Sequence, residues 1–208
     1  MVTDGLSPLT VLVFLGSVLA GVALIILFVF ARVTKREQVA WIAPRLLGAG
    51  AAAYALVLLI ASVASHNRVL APGEEKHICE IDCHLAYSVA AARSETLPSG
   101  RIRHVVTVRV RFDEETIAPS RPRDAVLSPN SRYVALVDAN GRRYPGSTEG
   151  LRRRLIPGES YTTDLSFEVP CDAQDLRLVL RNNDPETVLI VGHENSILHA
   201  KTTFQLPG

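Results

Sequence analysis

The sequence predicts a membrane-anchored all-β protein in which a two-helix transmembrane hairpin precedes an antiparallel β-sandwich. Three observations carry this reading. Two long runs near the front, Gly5 to Ala31 and Leu46 to Ser65, contain no Asp, Glu, Lys or Arg. Beyond them the hydrophobic period changes from helical to two. Turn-forming groups, Asn140-Gly141, Pro157-Gly158 and Asn183-Asp184-Pro185, then separate the alternating segments. The 143 residues after Ser65 (208 − 65) hold 18 of the 22 Lys and Arg and 19 of the 21 Asp and Glu. That near-neutral balance excludes a polybasic nucleic-acid binder, and the apolar front excludes a simple cytosolic enzyme.

Leu9 to Ala31 is the first span, 23 residues long, or about 34 Å at ~1.5 Å per residue, enough for a hydrocarbon core of ~30 Å. A cleaved signal peptide would start basic and carry a shorter apolar stretch, whereas this start has Asp4 and no Lys or Arg. Leu46 to Ser65 is the second span, so residues 1–65 form the hairpin. Small residues recur at four-residue spacing, Ser17 with Gly21, Gly16 with Ala20 and Gly48 with Ala52. Such faces suit close helix packing in lipid, within the hairpin or in a homo-oligomer. Neither span holds an ionisable residue, which argues against an ion path or proton relay.

The connection between the spans carries Arg32, Lys35, Arg36 and Arg45, against no Lys or Arg before the first span and Arg68 and Lys76 after the second. The positive-inside bias places this loop in the cytoplasm and both termini outside. Trp41, read as part of the loop, suits the membrane interface. Residues 66–77 read as a linker broken by Pro72 and Gly73, and residues 78–208 as the outer domain.

In that domain Cys79, Ile81, Cys83, Leu85, Tyr87 and Val89 alternate with Glu80, Asp82, His84 and Ser88 as on a half-buried strand. Ile102, Val106, Val108, Val110 and Phe112 alternate with Arg101, Arg103, Arg109 and Arg111. Tyr161, Leu165, Phe167 and Val169 form a third such face, and Leu176, Leu178 and Leu180 a fourth. Shorter candidates are Tyr133 to Val137, Val188 to Val191 and Thr202 to Leu206. About seven strands without a convincing amphipathic helix match the immunoglobulin-like antiparallel β-sandwich. The proline-rich connection from Asp113 to Arg132 reads as an edge cover.

Within Leu136 to Pro170, Asp138, Gly141 and Tyr144 form an Asp-x-x-Gly-x-x-Tyr hairpin. Leu155, Pro157, Gly158 and Glu159 follow, and then Phe167, Val169 and Pro170. This run resembles the bacterial extracytoplasmic immunoglobulin-like domains of unknown function carried by lipoproteins and membrane-anchored proteins. The resemblance implies a fold and a place, a two-pass protein of the bacterial inner membrane with its C-terminal domain outside, and brings no catalytic residues.

Cys79 and Cys83 on one straight strand would lie about 13 Å apart at ~3.3 Å per residue, beyond the ~7 Å reach of a disulfide. Cys171 extends the apolar phase of its own strand. The expectation is therefore a cross-sandwich disulfide from Cys171 to Cys79 or Cys83, Cys79 preferred because a strand start meets the end of an antiparallel neighbour.

The rival reading is a metal or redox site. Cys79 and Cys83 have the Cys-x-x-x-Cys spacing of the dinuclear copper loop in cytochrome c oxidase subunit II, whose plan of two spans and an outer β-sandwich is also similar. The match departs where Tyr87 holds the family's His position and Met1 is the chain's single Met. What remains is a mononuclear copper or zinc site built from Cys79, Cys83 and His84 with His193 or His199. The spacing from Cys79 to His84 is one residue too long for haem attachment. His193 and His199 are six apart, so they cannot share a helix face as in zinc proteases. No Gly-x-Ser-x-Gly or phosphate-binding glycine loop occurs. His104 reads as a core histidine and Arg152 to Arg154 as a solvated loop. The functional expectation is a non-enzymatic envelope protein without a cofactor, whose partners are the lipid bilayer and another envelope or membrane protein.

Overall fold

A computed structural model describes residues 2–3, 8–78, 83–117, 122–129 and 132–207. The chain divides into two compact units, one holding residues 67–185 and 201–208 with the first four residues, the other residues 5–66 with 186–200.

The second unit contains two helices, α1 (Pro8–Val33) and α2 (Glu37–Val63), both long and apolar enough to cross a membrane. Their apolar side chains point outward: Leu12, Leu19, Ile26, Ile60 and Val63 are all more than half exposed. The expected loop between the spans shrinks to residues 34–36. Arg32 closes α1, and Glu37, Trp41 and Arg45 lie inside α2. The second span, expected from Leu46, thus belongs to a helix that starts nine residues earlier, and Pro44 inside it removes one N–H, the partner of the Ala40 carbonyl. One turn back from Arg45, the Trp41 carbonyl accepts a 2.7 Å bond from Arg45 Nη1, and the guanidinium lies over the Trp41 ring. Of the small-residue positions, Gly21 faces Leu47 of α2, whereas Gly16 and Gly48 have open space beside them.

The first unit is a β-sandwich of two five-stranded sheets. One contains β1 (Val2–Thr3), β3 (Lys76–Ile78), β4 (Leu85–Thr96), β5 (Ile102–Phe112) and β8 (Ser160–Val169), in that order. The other runs β2 (Arg68–Leu70), β10 (Thr202–Gln205), β9 (Arg177–Asn182), β6 (Arg132–Val137) and β7 (Arg143–Pro145). The alternation expected for β5, β8 and β9 holds. Val106, Val108, Val110, Phe112, Leu165, Phe167, Leu178 and Leu180 enter one core with Leu70, Leu136 and Phe204.

Four expectations change. The sandwich is mixed, because β1 pairs parallel to β3 and β2 parallel to β10. These are the strands on either side of the helical hairpin, and each occupies an edge of its sheet. The presumed linker supplies β2 and the start of β3. The strand expected from Cys79 begins at Leu85. Val188 to Val191 is no strand: a short 3-10 helix covers Pro185–Leu189, and residues 186–200 belong to the unit of the helices.

Gly146, after β7, lies against the Phe167 ring so closely that an added Cβ would collide with it. Gly146→Ala should therefore destabilise the domain by about 1–3 kcal/mol, the usual cost of overpacking, read as a lower midpoint in urea titration of the full-length protein in detergent. An unchanged midpoint would mean that the ring is free to move aside.

Candidate functional site

The Asp-x-x-Gly-x-x-Tyr run is a turn built around one carboxylate. Asp138 Oδ1 accepts from the backbone N–H groups of Asn140 and Arg142, both at 2.9 Å, and Oδ2 accepts from the Tyr144 hydroxyl at 2.9 Å. Gly141 supplies the positive φ of 77° that closes the β6–β7 hairpin. Burial pushes the Asp138 carboxyl up, but these hydrogen bonds outweigh it and hold the group below the usual carboxylate range. The Leu-x-Pro-Gly-Glu run is a second turn, with Gly158 at φ 83° and Glu159 Oε2 accepting from the Ile156 N–H at 3.0 Å. Both motifs fix backbone.

The densest charged cluster lies on the face of the first sheet turned away from the core. There the register aligns His77, Ala86, Arg111 and Ser160 in one row. Arg111 grips Glu75 with two bonds of 2.9 and 2.6 Å and reaches Asp113 Oδ1 at 3.1 Å. The other oxygen of Asp113 meets His77 Nε2 at 2.9 Å. Asp113 then caps the 3-10 turn Glu114–Thr116 by accepting from the Glu115 N–H, and its own N–H donates to the His84 carbonyl at 2.7 Å. Burial raises the Asp113 carboxyl, while the bonds from His77, Arg111 and the Glu115 N–H overcome that and lower it; the bidentate Arg111 lowers Glu75. Every oxygen of the Asp113 carboxylate is thus engaged. The network ties β3 to the end of β5 and to the connection after it.

On the core face of the same strands, Lys76, Tyr87, Val110 and Tyr161 form the adjacent row. Lys76 is fully buried and its Nζ donates to the Leu180 carbonyl of β9 at 2.8 Å, across the sandwich. Arg132 of β6, also buried, donates from Nε to the Tyr87 hydroxyl at 3.1 Å. Burial pushes the Tyr161 hydroxyl up to about 12. The two cations join the sheets by directional bonds where aliphatic packing alone would leave register free. Sequence reading assigned Lys76 to a linker and Arg132 to the end of a loop. The one available signal is that Lys76 stands two residues before Ile78, on the same strand face.

The cysteines correct the expectation. Cys171 is an exposed free thiol in the turn after β8, since Pro170 ends the strand and the apolar phase with it. It therefore forms no cross-sandwich bridge. Cys83 is disulfide-bonded. It precedes β4, so the straight-strand distance that barred a local bridge does not apply, and Cys79 lies outside the described residues.

The metal ligands are not brought together. Among the described residues no three His, Cys, Asp or Glu side chains are placed to hold an ion. His84 stacks on Phe112, and its Nδ1 lies 2.6 Å from Thr116 Oγ1. That hydroxyl already donates to the Asp113 carbonyl at 2.8 Å, so His84 Nδ1 is the donor and offers no lone pair. His193 and His199 lie in the other unit. There His193 Nδ1 accepts from the Asn195 N–H, and His199 Nδ1 is bonded to the Ala200 carbonyl. His104 is half-buried on β5 and is lowered by that burial. Arg152, Arg153 and Arg154 are exposed, as expected.

Architecture and network define a two-sheet sandwich joined to an apolar helical hairpin. No family model matches the chain, and no curated protein matches it in sequence. Among solved structures it is similar to MPT63, a secreted protein of Mycobacterium tuberculosis, at 13% identity and a TM-score of 0.44, over 68% of this chain and 99% of that one. A likeness of that size carries no argument.

The carboxylates give a pH dependence of defined sign. Asp113 and Glu75 are lowered in the folded protein, so the stability they contribute is present above the ordinary carboxylate range of about 4 and is lost as pH falls through the folded values. The melting temperature of the full-length protein in detergent should fall below about pH 4, and Asp113→Asn should lower it at pH 7 while flattening the acid decline. An Asp113→Asn protein with the wild-type acid profile would remove Asp113 from the account.

Proposed function

We propose that this chain is a non-enzymatic envelope protein in which α1 and α2 anchor an immunoglobulin-like module to the bacterial cytoplasmic membrane, the module serving to bind or steady another envelope or membrane protein. The observation that carries the reading is the outward apolar surface of the hairpin. No residue in an 18-residue apolar stretch of α1 is buried within the protein, unlike the core helix of a soluble protein. A bilayer is the solvent that such a surface fits.

Orientation follows from charge and connectivity. Arg32, Lys35, Arg36 and Arg45 gather at the end where the helices join, which faces the cytoplasm under the positive-inside rule. Val2–Thr3 before α1 and Lys76–Ile78 after α2 pair in one sheet, as two crossings that return the chain to the same side require. The turns around Asp138 and Gly158 support the resemblance to extracytoplasmic immunoglobulin-like domains. The carboxylates of Glu75 and Asp113, each with both oxygens bonded inside the network, support a binding module over an enzyme. The open space beside Gly16 and Gly48 leaves room for a helix of a second copy.

Alkaline phosphatase fused after Gly208 should be active in a bacterial host, and a fusion after Arg36 should be inactive. The reverse pattern would place the module in the cytoplasm and overturn this function.

A further inference from the structure

Residues 186–200 bury polar side chains and expose large apolar ones, although Ile190 is buried and Glu186 exposed. His193, Glu194 and Ser196 are 0%, 3% and 1% exposed, while Leu189, Ile197 and Leu198 are 50%, 50% and 70% exposed. A segment facing water does the opposite. Leu198 also adopts a φ of 63°, in the left-handed region that favours Gly or Asn. A leucine held there and left exposed gains nothing in water.

Part of the segment's backbone is bonded internally and to α2. A chain of three-residue turns runs from Thr187 O to Ile190 N, Ile190 O to His193 N, His193 O to Ser196 N and Ser196 O to His199 N. The Ser196 hydroxyl also donates to the Ile190 carbonyl. The Tyr54 hydroxyl of α2 donates to the Leu189 carbonyl at 2.7 Å, and the Ala200 N–H donates to Ser65 Oγ at 2.7 Å. Non-helical backbone enters a bilayer only when its polar groups are bonded in this way.

Tyr54 fixes the depth. It lies nine residues before Val63, the end of α2, or about 13 Å along the axis at ~1.5 Å per residue. Centring the whole helix would sink Arg45 into hydrocarbon, so the span is the uncharged stretch from Leu46 to Ser65. Tyr54, eleven residues before Ser65, then puts the Leu189 carbonyl about 16 Å below the outer end of that span.

We infer that residues 186–200 are a second membrane element, a re-entrant segment that inserts Leu189, Ile197 and Leu198 into the acyl region of the leaflet on the module's side. The inference rests on the membrane reading of α1 and α2. It adds that the chain returns to the bilayer between β9 and β10, so the module is held at two places along its sequence. The occupant of this apolar surface is lipid, as the continuity with the outward faces of α2 and the depth set by Tyr54 both require.

Single tryptophans in full-length Trp41→Phe protein, reconstituted in phosphatidylcholine vesicles, test this. Ile197→Trp and Leu198→Trp should emit at short wavelength and lose intensity with lipids brominated on the upper acyl chain. Leu19→Trp, at the middle of α1, should be quenched by deeper bromines, and Ser99→Trp, in the exposed turn after β4, should emit as in water and resist both. If Ile197→Trp and Leu198→Trp behave like Ser99→Trp while Leu19→Trp is quenched, the re-entrant segment is overturned and the anchor stands. If Leu19→Trp is itself unquenched, the anchor reading falls and the segment with it.

Discussion

Leu12, Leu19, Ile26 and Val33 on α1, with Ile60 and Val63 on α2, point away from the protein, and each would be worth about 1.5–3 kcal/mol if removed from water. The hairpin cannot meet that demand by packing against itself, because two helices cover only the stripe between them. The rest of the chain is consistent with a second solvent. Apolar positions in the sandwich turn inward at a period of two, and the outer face of its first sheet is dressed with exposed ion pairs such as Arg93 with Asp164 and Arg103 with Glu168. One chain therefore obeys two opposite burial rules, and the change of rule falls near Ser65.

The strands nearest that change join hairpin and sandwich in sequence. β1 and β2, just before α1 and just after α2, are each an edge strand in parallel pairing, and strands this short present few unpaired backbone groups to other chains. Directional polar contacts act where aliphatic packing would be permissive. Lys76 and Arg132 bind across the two sheets, and Glu75, Arg111, Asp113 and His77 lock β3 to the end of β5. Both oxygens of Asp113 and both of Glu75 accept bonds inside this network, which fixes β3 against the end of β5.

Much of this was legible from residue order. Two uncharged runs announce the helices, and alternation announces β5, β6, β8, β9 and β10, because those strands have one wet face and one dry face. Legibility failed where local signals competed. The charge of Arg45 sets the start of the uncharged run at Leu46, yet α2 starts at Glu37 and carries Pro44 at the loss of a single bond. The short strands β1, β2 and β3 carry too few residues for a period to show. Cys171 seemed to continue an apolar phase, but Pro170 had already ended its strand. The charged network was invisible because its members come from positions 75 to 113, and only sheet register brings them together. The burial of His193, Glu194 and Ser196 was invisible for a related reason: Val188 to Val191 reads as a strand, whereas Leu189 faces outward and Ile190 inward.

The central claim is that the hairpin resides in lipid, and the most direct measurement is extraction of membranes from expressing cells with alkaline carbonate, followed by flotation on a density gradient. The account predicts that the full-length chain stays with the lipid and floats, since carbonate strips proteins held by charge and leaves those held by apolar spans. Recovery of the folded chain in the soluble fraction would contradict it, and the outward leucines of α1 would then need a protein partner to cover them.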